Sequence, residues 1–141
     1  MKKKAFLTLA VIAVLVLGLV CKNQLIRAYV GLCHEDLEGY AEELLADGAR
    51  RSDRYGRWKT SCYPEDGMVE FSTGGFGLAP SAVYRGFYYS RDNTHQLFSA
   101  AYEAETAMEI DGDDAFWTDG TDNHGTSRRL RENWFWYEAA F

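Results

Sequence analysis

Proline is scarce in this sequence, and no tract of low complexity interrupts it. Only two prolines occur among 141 residues, Pro64 and Pro80, and both lie at the borders of predicted strands. Proline lacks the N–H that a sheet ladder needs, so strand borders are where it is tolerated. Without a linker or an internal repeat, the sequence predicts one domain over residues 22–141, preceded by a distinct segment over residues 1–21.

Basic residues are also few relative to acidic ones. Beyond Cys21 there are 12 Lys and Arg against 21 Asp and Glu, so this part of the chain is net acidic. Proteins that bind nucleic acid need a basic face, and we therefore predict no nucleic-acid partner. The one basic cluster is RRSDRYGRWK over residues 50–59. It is interpreted either as a solvated loop or as a patch that contacts membrane headgroups.

Cysteine and histidine do not occur at the spacings of a metal site, so we predict no metal and no cofactor. Cys33 and Cys62 are the two cysteines beyond residue 21. In an oxidising compartment such a pair can form a disulfide, and two buried thiols are the alternative.

The acidic stretch between residues 109 and 122 does not have the order of an EF-hand loop, because phenylalanine stands where glycine is required. Solvated turns are expected there, with a looser oxygen cage from Asp111, Asp113 and Asp119 as the alternative.

A glycine-rich stretch over residues 72–90, STGGFGLAPSAVYRGFYYS, lacks the pattern of a phosphate-binding loop. Two of its glycines have G-x-G spacing, but proline stands where a third glycine is required, and no Lys-Ser or Lys-Thr follows. We interpret it as a turn or bulge between two strands. Phe76 and Leu78 in this loop are candidates for a contact surface, and Gly86 is expected to make room for an aromatic ring.

A catalytic serine with a strand-to-helix elbow is also missing. His124 lies in TDNHGTS beside Asp122 and Ser127. The three residue types of a catalytic triad are thus present, but nothing in the pattern indicates that they are arranged as one. We therefore predict no catalytic residues. A hydrolase that uses His124 and a neighbouring acid is kept as a minor alternative.

Charge is absent from one long apolar run, Ala5 to Cys21, which follows the basic start MKKK. This length is at the short end of what spans a bilayer as a helix. The leading interpretation is an uncleaved anchor with the N-terminus inside and the domain outside the cell membrane. The alternatives are a cleaved secretory signal and a lipoprotein signal that ends at Cys21.

Residues 22–47 have the apolar periodicity of a helix that ends at Asp47-Gly48, either continuous with the anchor or broken near Gly31. Its predicted apolar face consists of Ile26, Val30, Cys33, Leu37, Tyr40, Ala41, Leu44 and Leu45. After residue 50 the period changes to two, which favours strands. The best alternation is YEAETAMEI over residues 102–110, with Met108 and Ile110 on its buried side. We predict an α+β fold: an N-terminal transmembrane or amphipathic helix packed on a small, mainly antiparallel sheet of five or six strands.

Aromatic residues are abundant, at 15% of the chain. Burial between one helix and one sheet accounts for most of them. The alternative is an exposed platform, whose candidate binding residues are Phe76, Leu78, Tyr88, Tyr89, Trp117, Trp134 and Trp136. The sequence thus predicts a membrane-anchored, extracytoplasmic binding module rather than an enzyme, with the membrane and another envelope protein as partners. A cell-wall glycan is the alternative ligand.

Overall fold

A computed structural model describes residues 2–78, 81–96 and 107–141; within the first helix it describes side chains at 8, 10–13 and from 24 onward. The helix, α1, runs without interruption over Lys2–Ala46. The helix predicted for residues 22–47 is confirmed, and of the two alternatives for its start the structure has the continuous helix rather than the break near Gly31. Gly48 follows the last turn with φ +68°, the left-handed conformation that glycine adopts at little cost.

Within the described residues, eight antiparallel strands form one sheet, where five or six were predicted. Their bounds are β1 Arg51–Tyr55, β2 Trp58–Tyr63, β3 Met68–Leu78, β4 Ser81–Ser90, β5 Ala107–Asp111, β6 Asp114–Thr118, β7 His124–Arg131 and β8 Trp134–Ala140. The spatial order is β1-β2-β3-β4-β8-β7-β6-β5. The predicted α+β class and the antiparallel arrangement are confirmed.

β1 lies in the basic segment that was interpreted as a loop or a patch. Four of its five side chains are exposed and the fifth is half-buried. An edge strand of this kind has no apolar alternation, so the period-two pattern that marks the other strands could not reveal it.

The loop predicted between MVEFS and VYRGFYYS is shorter than expected, because the strands on both sides extend into it. β3 continues to Leu78, and β4 begins at Ser81. A register shift between Ser72 and Gly74 is the bulge that glycine was expected to permit. The predicted role of Gly86 is also confirmed, because a Cβ there would lie 2.7 Å from Cε1 of Tyr137.

The helix packs on one face of the sheet and forms the first aromatic core. All eight apolar helix residues predicted for this face belong to it. Against them lie Trp58, Phe71, Phe87 and Trp134, with the rings of Phe71 and Phe87 stacked 4.9 Å apart. The helix face was therefore predicted correctly.

A polar contact also ties the helix to the sheet. Tyr89 donates its hydroxyl hydrogen to Oε1 of Glu42 at 2.8 Å, and Arg91 Nη2 donates to Oε2 at 2.6 Å. The hydrogen bond from Arg91 lowers the pKa of the Glu42 carboxyl. The predicted disulfide is not formed in this structure: Cys33 and Cys62 are free thiols within the same core.

The opposite face of the sheet carries a second buried cluster, made of Met68, Tyr88, Trp117, Phe135, Tyr137 and Ala139. Met108 of β5 packs against it, as the alternation predicted, but Ile110 is 64% exposed because β5 is an edge strand. Residues 102–106 of the predicted strand lie outside the described residues. Both faces thus bury aromatic side chains.

Among the side chains that the structure describes, no helical stretch is both long enough and apolar enough to cross a bilayer. The predicted anchor over residues 1–21 falls largely on side chains outside that description.

Candidate ligand-binding groove

An open groove of about 910 Å³ lies where the helix leaves the sheet. Leu25 and Ile26 form its helix side. The sheet side is formed by the β1–β2 hairpin and by β3, β4 and β8, which contribute Phe76, Arg85 and Trp136 among others. We name this feature the basic groove, for the charges described below.

The strand lengths explain why this part of the sheet is open. Pairing of β2 with β3 ends at Lys59 and Ser72, whereas pairing of β3 with β4 continues to Leu78 and Ser81. The β3–β4 hairpin therefore extends past the end of β2. It carries Phe76, whose side chain is 83% exposed, along the groove.

Positive charge dominates the groove although the chain is net acidic. Four cationic residues line it, and Glu138 is its one acidic residue. Arg85 forms an ion pair with Glu138. The other three cations, Arg54, Arg57 and Lys59, have no ion pair within 4 Å among the described residues. The groove therefore holds positive charge that is not held in close ion pairs, although Lys59 also acts on Glu70, whose carboxyl pKa is raised by burial and lowered in part by this lysine.

Aromatic rings lie beside these charges. The Arg57 guanidinium lies 4.2 Å from the centroid of the Trp58 ring, a cation–π arrangement that keeps the charge over the ring face. Trp136 is half-buried and Phe76 is exposed. A ligand in this groove meets cationic donors and apolar ring surface together.

Of the predicted aromatic platform, only Phe76 and Trp136 line the groove. The side chain of Leu78 lies outside the description. The other four residues are core, with exposed fractions of 3% or less: Tyr88, Tyr89, Trp117 and Trp134. For these four residues the leading interpretation, burial in the core, is confirmed and the alternative of an exposed platform is wrong. The sequence left both open because period-two alternation in a sheet buried on both faces does not distinguish a solvent side. The groove's basic residues were noticed in the sequence, but their meeting with Phe76 and Trp136 depends on long-range strand pairing.

The structure does not bring His124 and Ser127 together as a catalytic pair. These residues lie three positions apart on β7, and side chains at odd separations on a strand point to opposite faces. His124 is exposed and its Nδ1 lies 2.8 Å from the carbonyl oxygen of Asp122. Ser127 is buried, and its Oγ contacts Tyr88 Oη at 2.6 Å and His95 Nδ1 at 3.0 Å.

Sequence reasoning missed the contact between His95 and Ser127 because 32 positions separate them. Burial lowers the pKa of His95, and Arg129 lowers it further. Burial also raises the pKa of Tyr88 to about 12. Since Ser127 is only 2% exposed, this hydrogen-bonded group supports the second core rather than presenting a nucleophile.

The acidic residues between 109 and 122 form turns and ion pairs. Asp119 accepts hydrogen bonds from Thr121 and Asn123, and these lower the pKa of its carboxyl. Asp113 pairs with Arg129 at 3.6 Å. Within the described part of the chain, no three His, Cys, Asp or Glu side chains are grouped to hold a metal ion.

No known protein family, curated protein or solved structure matches this chain.

Proposed function

We propose that this protein is a binding module whose basic groove holds an anionic ligand. The observation that carries the proposal is the set of three cations, Arg54, Arg57 and Lys59, that form no ion pair with any residue the structure describes, in a chain that is net acidic. Cations left without a partner inside a concave surface are suited to a partner from outside the chain.

The donor chemistry fits carboxylate, phosphate or sulfate groups. Arginine presents a planar fork of N–H donors that matches such oxygens, and lysine adds a point charge. Phe76 and Trp136 offer apolar surface on the same wall for the uncharged part of a ligand. This arrangement binds and orients a ligand, and no step of bond cleavage is assigned to it.

A neutral glycan is the second candidate, favoured by the half-buried Trp136 and the exposed Phe76. A hydrolase that uses His124 and a neighbouring acid stays a minor prediction from the sequence, and Ser127 does not support it, because His124 and Ser127 point to opposite faces of β7. Anchoring in the cell membrane, an extracytoplasmic domain and an envelope protein as partner stay predictions from the sequence.

The test uses the full chain in a mild non-ionic detergent and measures dissociation constants by calorimetry. Hexaglutamate and a sulfated hexasaccharide serve as anionic probes, and an uncharged chitin hexasaccharide represents neutral glycans. We expect the anionic probes to bind and the neutral one not to. Arg57→Gln should weaken their binding about tenfold, since a hydrogen bond to a charged group is worth roughly 1.5 kcal/mol.

Arg128→Gln is the matched control, because it removes an exposed arginine that does not line the groove. Its affinity should equal that of the unchanged chain. Equal weakening by both variants would show that only net charge matters, and the groove would lose its role. Binding of the neutral hexasaccharide alone, abolished by Trp136→Ala, would replace the proposal by the glycan candidate.

A further inference from the structure

We infer that the ligand of the basic groove is the headgroup layer of an anionic phospholipid bilayer, the same bilayer in which the apolar run Ala5–Cys21 is predicted to be anchored. This inference rests on the proposed function and names its ligand. Three independent features support it: the position of the groove along α1, the distribution of charge around it, and its exposed apolar residues.

The position follows from the continuous helix. Leu25 lines the groove and lies four residues beyond Cys21, the last residue of the apolar run. At 1.5 Å per residue this is about 6 Å along the helix axis. The polar layer on each side of a bilayer is about 5–8 Å thick. If Ala5–Cys21 fills the hydrocarbon core, the groove therefore opens at the depth of the headgroups.

The charges are arranged as contact with an anionic surface requires. From Lys22 to His34 the helix carries Lys22 and Arg27 and no acidic residue, and acids begin only at Glu35. The groove adds Arg54, Arg57 and Lys59 at this same end of the helix. Acidic residues elsewhere are repelled by an anionic bilayer, so electrostatics alone would turn the basic groove toward it.

Two exposed apolar side chains complete the surface. Phe76 is 83% exposed at the end of the β3–β4 hairpin, and Leu25 is 66% exposed on the helix. Aromatic and aliphatic side chains beside basic ones are typical of segments that enter the headgroup boundary. A soluble acidic peptide would engage the cations equally well, but it would not account for the groove lying beside the end of the apolar run.

The experiment measures binding of short-chain phosphatidylglycerol and short-chain phosphatidylcholine to the full chain in non-ionic detergent. Both lipids share a phosphate and acyl chains, but only the first has net negative charge. We expect the anionic lipid to bind at least tenfold more tightly, with a preference that falls as salt is raised from 50 to 200 mM. If the unchanged chain binds the two lipids with equal affinity, the inference is wrong.

The triple variant Arg54→Gln, Arg57→Gln, Lys59→Gln tests the location of binding. A basic residue near an anionic surface contributes about fivefold to affinity, so the three together should weaken phosphatidylglycerol binding by about a hundredfold. Binding of phosphatidylcholine should not change.

The control variant removes three cations that do not line the groove: Arg50→Gln, Arg128→Gln, Arg131→Gln. Its binding should equal that of the unchanged chain, and loss in both variants would refute a role for the groove itself.

Two further probes separate this inference from the proposed function. Glycerol phosphate binding as tightly as the lipid would show that a free anion is the ligand, and the lipid assignment would be wrong. If hexaglutamate binding depends on Arg57 while the two lipids bind with equal affinity, the proposed function stands and the lipid inference is wrong. If no anionic probe depends on Arg57, both proposals are wrong.

Discussion

The contact between Trp117 and Gly125 allows the clearest test of whether the aromatic residues are core or platform. The two residues are paired across β6 and β7, and both are buried. A Cβ added at Gly125 would lie 2.4 Å from Nε1 of Trp117 and 2.5–2.6 Å from its ring carbons. No real Cβ contact is this short, so Gly125→Ala requires the indole ring to move.

The size of the effect follows from packing in a filled core. Inserting one methyl group into such a core costs about 1–3 kcal/mol of unfolding free energy. Trp117→Ala alone should cost about 3–5 kcal/mol, because it leaves a cavity. In the Trp117→Ala background the added methyl group meets no ring, so Gly125→Ala should cost about zero. The two changes should therefore be coupled by about 2 kcal/mol.

The assay is urea unfolding of the full chain in mild detergent, followed by circular dichroism for the two single variants and the double variant. Gly39→Ala is the matched control, since a Cβ there meets no atom within 4 Å; it should leave stability unchanged or raise it. If Gly125→Ala has the same effect with and without the indole ring, Trp117 does not cover Gly125, and its assignment to the core is refuted.

Two further predictions concern buried titratable groups. Burial raises the pKa of Glu70, so the folded state binds a proton there more tightly than the unfolded state, and stability should fall as pH rises from about 4.5 through the raised pKa. Glu70→Gln keeps an acceptor for the Tyr137 hydroxyl. Thermal melts should show the variant gaining stability relative to the unchanged chain from pH 4 to pH 8, by about 1.4 kcal/mol for each unit by which the pKa of Glu70 is raised. A stability difference that does not change with pH would contradict this. Burial also raises the pKa of the Cys62 thiol, and a buried thiol with little thiolate reacts slowly. In a Cys21→Ser background, an aromatic disulfide reagent should therefore label Cys33 quickly and Cys62 at least tenfold more slowly. If neither thiol reacts even after unfolding without reductant, the two form the disulfide predicted from the sequence.

The helix could be predicted because its information is local. The eight apolar residues predicted for its buried face, between Ile26 and Leu45, recur mainly at steps of three and four, and every one of the eight belongs to the first core. The stop at Asp47-Gly48 is likewise a local property, since glycine adopts positive φ readily. β5 was predicted for a similar reason, because the period-two alternation of YEAETAMEI is also a local property.

Predictions failed where the outcome depends on residues far apart in sequence. β1 is exposed on an edge and carries no periodic signal. Tyr88 and Trp134 were candidates for an exposed platform because nothing local shows that both faces of this sheet are covered. The contact of His95 with Ser127 depends on a segment that returns to β7, whereas the proximity of His124 to Ser127 in sequence suggested a pair that β7 itself separates.

The candidate site combines a feature that is visible in the local sequence with one that depends on long-range strand pairing. The basic cluster at residues 50–59 is visible in the sequence, but a charged segment alone indicates only solvation. Its significance comes from β2 ending early while the β3–β4 hairpin continues, which brings Phe76 and Arg85 beside the cluster and leaves the helix-facing side of the sheet open. Where α1 covers the sheet, aromatic side chains become core; where the helix leaves the sheet, Trp136 stays accessible. We therefore expect changes to the length of the β3–β4 hairpin beyond Ser72 and Gly86 to affect ligand binding more than stability, because this end of the hairpin shapes the groove and none of its described residues belongs to either buried cluster.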